Sequence, residues 1–192
     1  MLFRSARARA GDTVTDRWVL AIDLGNGGPK VGVIGLGGEI LGTAFEPVDV
    51  QIGVDGTATQ DPVQWWSQLL IAGRRAIEGS GASGGALHAV AVTGQWGTTV
   101  PVGDGGQPVG QAILWADTRA ASRSAALIGG PLSVQGYAPH KVLPFIRLTG
   151  GAPTPMGADP TGHSLLLQHE LADVYARTRL LLEPIDYLGL RL

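Results

Sequence analysis

A chain of 192 residues with 14 Lys and Arg against 16 Asp and Glu, a net charge of -2 and no cysteine is long enough for one substantial domain, at most two. It carries no basic stripe, so a nucleic-acid partner is excluded as an expectation, and disulfide or thiolate chemistry is excluded outright. The longest apolar runs, such as SLLLQ and RLLLEPI, are too short to span a bilayer; with the absence of cysteine this points to the cytoplasm and to no membrane partner.

Residues 1–17 contain Arg4, Arg7, Arg9 and Arg17 but no apolar core of the kind a secretory signal needs, and read as a flexible tail ahead of a folded region over 18–192. RWVLAIDLG, PKVGVIGL and EILGTAFEPV are short, β-rich runs separated by glycine turns, which predicts an antiparallel meander of three strands. Asp61 then reads as an N-cap and Pro62 as the first residue of a helix whose apolar face is Trp66, Leu69, Leu70, Gly73 and Ile77. LHAVAVTG follows as a strand with no polar alternation, the pattern of a central, buried position. TTVPVGDGGQPVGQAILWAD predicts two strands around a GDGG turn, with Asp117 or Thr118 opening a helix through Ala126. From Pro139 on, the chain reads as mostly helical, with Pro144 placed to kink or delay one helix. Three antiparallel strands, a helix and a further strand place the chain in the α/β class, with a mixed sheet.

IDLGNGGPK is a strand followed by glycines, but it lacks the G-x-G-x-x-G spacing and leads into a strand instead of a helix, so it is not a dinucleotide fingerprint; nor does any P-loop occur. A glycine hairpin can still form a nest of backbone N–H groups for phosphate, with Asp23 holding a metal ion beside it. A plain hairpin with an edge carboxylate accounts for these nine residues equally well. His88, His140, His163 and His169 show no metal-ligand spacing and read as structural or surface residues.

The succession AIDLGNGGPKVGV, DPVQWW, AVAVTGQWGTTVPVGDGGQPVGQAILWADTRA and GADPTGHSLLL to YARTRLLLEPIDYL resembles the amino-terminal lobe of the FGGY carbohydrate kinases, from Val19 to the end. Its most specific part is the pair of blocks TGQ and W-x-D-x-R. The resemblance implies a ribonuclease-H-like, actin-like ATPase lobe, a mixed sheet with antiparallel first hairpins flanked by helices, in an enzyme that uses ATP and Mg2+ on a small sugar or polyol. It makes Asp23 the residue near the metal, with Gly25, Asn26, Gly27, Gly28 and Lys30 as the phosphate segment. Gln95, Trp96, Trp115, Asp117 and Arg119 become the sugar side. A polyol site needs planar polar groups and an apolar face, and these residue types supply both. Each also has a plain reading: Trp115 as core, Trp96 as a rim aromatic, Asp117 as an N-cap, Arg119 as a surface ion-pair partner.

Three departures from the family pattern stand out. The hairpin carries Asn26, Gly27 and Gly28 where hydroxyl residues are usual. Trp96 and Gly97 follow the loop glutamine, where xylulose kinases place Met-His and glycerol kinases Arg-Glu, so neither substrate carries over. The family's second lobe, with its catalytic base and adenosine pocket, has no counterpart here, so the chain alone is expected to be inactive. Dimerisation through the uncovered face, or a complementary carboxy-terminal lobe chain, is expected. A non-catalytic sugar-binding or regulatory module and a vestigial fragment are the competing readings.

Overall fold

The computed structural model describes residues 17–192, so the tail expected over 1–17 lies almost entirely outside the described residues. In chain order the elements are β1 (Trp18–Gly25), β2 (Gly28–Gly35), β3 (Ile40–Phe45), β4 (Gln51–Ile52), β5 (Ala58–Gln60), α1 (Pro62–Ser80), β6 (Leu87–Gly94), β7 (Val100–Val102) and β8 (Ala112–Ile113). There follow α2 (Ala121–Ile128), α3 (Pro139–Thr149), α4 (Pro160–His169), α5 (Ala172–Arg177), β9 (Leu180–Leu182) and α6 (Pro184–Arg191). The described residues group into two compact units, one of 17–48 with Val63–Gln95 and Arg191–Leu192, the other of Asp49–Pro62 and Trp96–Leu190.

The first unit is a mixed sheet in the order β3-β2-β1-β6. β1, β2 and β3 form the expected antiparallel meander, and β6 runs parallel to β1. Strand alternation sends Ile22, Leu24, Val31 and Val33 to one face, where all four are buried. α1 begins at Pro62 as its sequence implies, but its buried stripe is Trp65, Leu69, Ala72 and Ala76. The expected face is therefore displaced: Leu70 is exposed, and Trp66 instead carries the Arg191 guanidinium 5.2 Å from its ring centre. Alanines on that stripe let the helix come down onto Gly42 of β3, where any side chain would meet the Ala76 carbonyl and the Ser80 Cβ. Trp18, fully enclosed, donates its indole N–H to the Ser83 carbonyl at 2.8 Å.

β6 does not occupy the central position its apolar pattern suggests. Among the described residues no strand lies on its outer side, and Leu87 and Val90 are exposed. Among the described residues no element covers the face opposite α1 either. There the register aligns Thr43, Gly32, Ala21 and Ala91 in one row across the four strands.

The second unit is built from short pairings. β4 and β5, absent from the sequence expectations, form an antiparallel pair that β8 extends. The expected GDGG hairpin survives only as bridges, Thr99 to Ile113 and Val102 to Pro108, because β7 pairs instead with β9. That pairing also overturns the helical reading of RLLL: Leu180–Leu182 is a strand. α2 starts at Ala121, so neither Asp117 nor Thr118 is its cap. α3 runs through Pro144 and ends at Gly150, whose φ of 77° is the left-handed C-cap geometry. α4 is capped by Asp159, whose Oδ1 accepts the Gly162 N–H at 2.9 Å. Ile113, Ala120, Leu166 and Leu167 form the core, the isoleucine and the two leucines each contributing about 1.5–3 kcal/mol when enclosed.

Candidate functional site

In the first unit, Asp23 closes β1 and faces Lys30 of β2 and Thr93 of β6 in register. These side chains point to the open side of the sheet. The Lys30 ammonium stands 3.7 Å from the Asp23 carboxylate, with both side chains about half exposed or more (65% and 49%). Such a pair is solvated and weak, which leaves the carboxylate accessible to a cation. Gln95 follows β6; its backbone N–H donates to the Leu24 carbonyl at 2.7 Å, and its side-chain oxygen is turned inward.

The glycine hairpin is a two-residue turn, Asn26-Gly27, closed by the Gly25–Gly28 pair. It is tied to the segment after β3, since the Val48 N–H donates to the Gly27 carbonyl at 3.1 Å and the Glu46 N–H to the Pro29 carbonyl at 3.2 Å. Gly28 has a φ of +131°, and a side chain there would run into the Glu46 carbonyl. Its glycine character therefore has a structural cause as well as any phosphate-side one. Among the described residues no group of three or more His, Asp or Glu side chains converges on a point that could hold a metal. The half-exposed Asp23 carboxylate could serve as one oxygen ligand of a Mg2+ ion, which commonly takes one or two carboxylates beside substrate phosphates.

In the second unit, the segment after β8 is stitched to the β4–β5 turn. The Leu114 N–H donates to the Ala58 carbonyl at 3.0 Å, the Thr118 N–H to the Gly56 carbonyl at 3.0 Å, and the Ala58 N–H to Asp117 Oδ2 at 2.9 Å. Asp117 is 1% exposed. Its oxygens also accept from the Arg119 backbone N–H (3.1 Å), Nε (3.0 Å) and Nη2 (2.7 Å). Asp117 is thus engaged on every side by the protein, whereas the two tryptophans are not: Trp96 is 82% and Trp115 49% exposed. Gly97, between Trp96 and buried Thr98, has a φ of +71°, and a Cβ there would touch the Trp115 Cβ at 3.4 Å.

Beneath this segment lies His163, fully enclosed, with Nδ1 2.9 Å from Thr99 Oγ1. Burial lowers its pKa to about 4, although Asp117 and Asp159 nearby oppose the shift. From the sequence, His163 reads as a structural or surface residue, and Gly97 is named only for departing, with Trp96, from the family pattern. Positive φ at a glycine between an exposed and a buried residue carries no signal in the sequence.

The family model for the FGGY family of carbohydrate kinases, N-terminal domain, matches residues 18–137. A glycerol kinase from Rhodospirillum centenum is 30% identical over 138 residues, 70% of this chain and 28% of that protein. A xylulose kinase from Staphylococcus epidermidis is 30% identical over 101 residues, 53% of this chain and 20% of that one. Among solved structures, a xyloylose kinase from Brucella ovis is similar over 92% of this chain and 34% of its own, with a TM-score of 0.79 and 26% identity. A glycerol kinase with ADP from Plasmodium falciparum, 17% identical with a TM-score of 0.68, shares the fold. The architecture is that of the actin-like ATPase fold, α/β with a mixed sheet. The chain spans about a third or less of the length of these relatives.

Proposed function

The chain belongs to the FGGY family of carbohydrate kinases, and on that premise we propose that residues 18–192 are the sugar-side lobe of an ATP-dependent kinase that phosphorylates a hydroxyl of a small sugar or polyol. The carrying observation is the second unit's loop pair. Trp96 and Trp115 expose their indoles while the Asp117–Arg119 pair holds the Trp115 segment in place. An indole gives the carbon skeleton of a polyol an apolar surface, and rigid support keeps that surface ready. Gln95 supplies directional polar contacts on the same reading. Glycerol and xylulose kinases both figure among the relatives, which supports the substrate class and leaves the individual sugar open.

Bound ATP and Mg2+ would supply the phosphoryl group and neutralise its developing charge. Asp23 is the residue of this chain suited to the metal, and Lys30 with the Gly25–Gly28 hairpin to the phosphates. Proton removal from the attacking hydroxyl needs a positioned base, and we assign it to a complementary carboxy-terminal lobe. Among the described residues the face opposite α1 and the outer edge of β6 are uncovered, which favours association with such a lobe or with a second copy.

A second reading, a sugar-binding module without catalysis, is favoured by the hairpin, where Asn26, Gly27 and Gly28 offer no hydroxyl and Gly28 is filled by its own neighbours. Calorimetric titration of ketoses, sugar acids and polyols into the chain, with Gln95→Ala and Trp115→Ala as controls, tests both readings. Saturable binding that the controls lose supports a sugar site. ATP turnover on adding a separately produced second lobe supports the kinase, and its absence despite sugar binding favours the module. A folded chain that binds no sugar contradicts both.

A further inference from the structure

Gly97 joins three groups that are far apart in the chain. Its left-handed backbone brings it against Trp115, it follows Trp96 directly, and its N–H donates to the carboxylate of Glu183. Glu183 is carried there by the β7–β9 pairing: Val100 is in register with Leu182, and Glu183 is the next residue, immediately before α6. Glu183 is half-buried. Burial raises its pKa, the neighbouring Asp186 adds to the rise, and the Gly97 N–H works against it. A carboxylate has about four lone-pair directions and Gly97 occupies one.

Two tryptophans left this exposed are uncommon on a protein surface unless a ligand or partner covers them. A carboxylate acceptor beside exposed indoles is the donor-acceptor and apolar combination that a polyhydroxylated ligand fills. We propose that Glu183 is a further sugar-binding residue, its carboxylate bonded on one side to the Gly97 amide and accepting a ligand hydroxyl on the other, beside Trp96 and Trp115. The assignment rests on the sugar-kinase reading and adds a residue that the TGQ and W-x-D-x-R blocks do not contain. It also gives Gly97 a purpose: a side chain there would need a strained backbone and would press on the Trp115 Cβ at 3.4 Å.

The test is calorimetry on the full chain with glycerol, a ketopentose and a sugar acid, followed by single-deoxy analogues of whichever binds. Glu183→Gln keeps an oxygen for the Gly97 N–H while removing the charge, and Glu183→Ala removes both. Expected are an unchanged thermal midpoint for Glu183→Gln, an affinity about tenfold or more below that of the unaltered chain, and loss of discrimination against one deoxy analogue. Full affinity and intact discrimination in Glu183→Gln would overturn the assignment while leaving the kinase reading in place. So would weakened binding in Glu183→Ala alone, because Glu183 would then only support the loop. A folded unaltered chain that binds none of the three probes would overturn the kinase reading and this assignment with it.

Discussion

The Arg119 guanidinium turns back two residues to clasp the Asp117 carboxylate, at 2.7 Å from Nη2 to Oδ2, with Asp117 1% and Arg119 18% exposed. The same carboxylate receives the Ala58 N–H, so one side chain ties the Trp115 segment to β5. Removing one member of an enclosed pair leaves the other charge uncompensated. Asp117→Ala should therefore lower stability by about 3–5 kcal/mol, read from urea unfolding. The exposed Asp23–Lys30 pair provides the contrast, since Asp23→Asn should cost less than about 1 kcal/mol. Equal losses at the two positions would show that Asp117 does not hold the segment.

His163 makes stability depend on acidity. Its ordinary value of 6.5 applies to the unfolded chain, and burial lowers the folded value to about 4. As pH falls, the unfolded state takes up the proton first, so this contribution is constant above about pH 7, declines from 6.5 to 4 and is constant again below. The decline amounts to about 3 kcal/mol. Urea midpoints measured across that range should fall with acidity, and His163→Gln should flatten the profile. An unchanged profile in the variant would assign the acid sensitivity elsewhere.

The hairpin glycines should behave differently from one another. Gly28→Ala forces a Cβ toward the Glu46 carbonyl at a positive φ and should cost at least about 2 kcal/mol. At Gly27, which has no positive φ, a Cβ would come within ordinary contact of Phe45 Cζ at 3.9 Å. Gly27→Ser should therefore stay within about 1 kcal/mol of the unaltered chain, while returning a hydroxyl to the turn. Thermal unfolding of the two variants side by side decides the matter.

β6 should make the chain self-associate. Leu87–Gly94 contains neither Lys, Arg, Asp, Glu nor proline, and it is an edge among the described residues. Such edges pair with other chains unless a charge blocks them. Sedimentation velocity over a concentration series should show larger species, and Val90→Lys should reduce them. A chain that stays monomeric throughout would show that the edge is protected in solution.

Where a few neighbouring residues carry the code, the sequence and the structure agree. The β1–β2 hairpin follows from alternation and the GNGG turn, α1 begins at Pro62, and the TGQ and W-x-D-x-R blocks carry the resemblance to the family that the chain belongs to. Those signals act over one turn or one strand, so a linear reading can find them. Features that depend on partners distant in the chain were not legible in that way. RLLL became a strand because β7 offered it a ladder, and β6 lay exposed because no described strand covers it. The stripe of α1 shifted onto Ala72 and Ala76 because Gly42 admits a helix backbone at close range. Asp117, which the family resemblance makes a sugar contact, is held by the Ala58 N–H and the Arg119 guanidinium, partners that no local pattern reveals. Burial and pairing are sums over long-range contacts, and only the folded chain brings those contacts together.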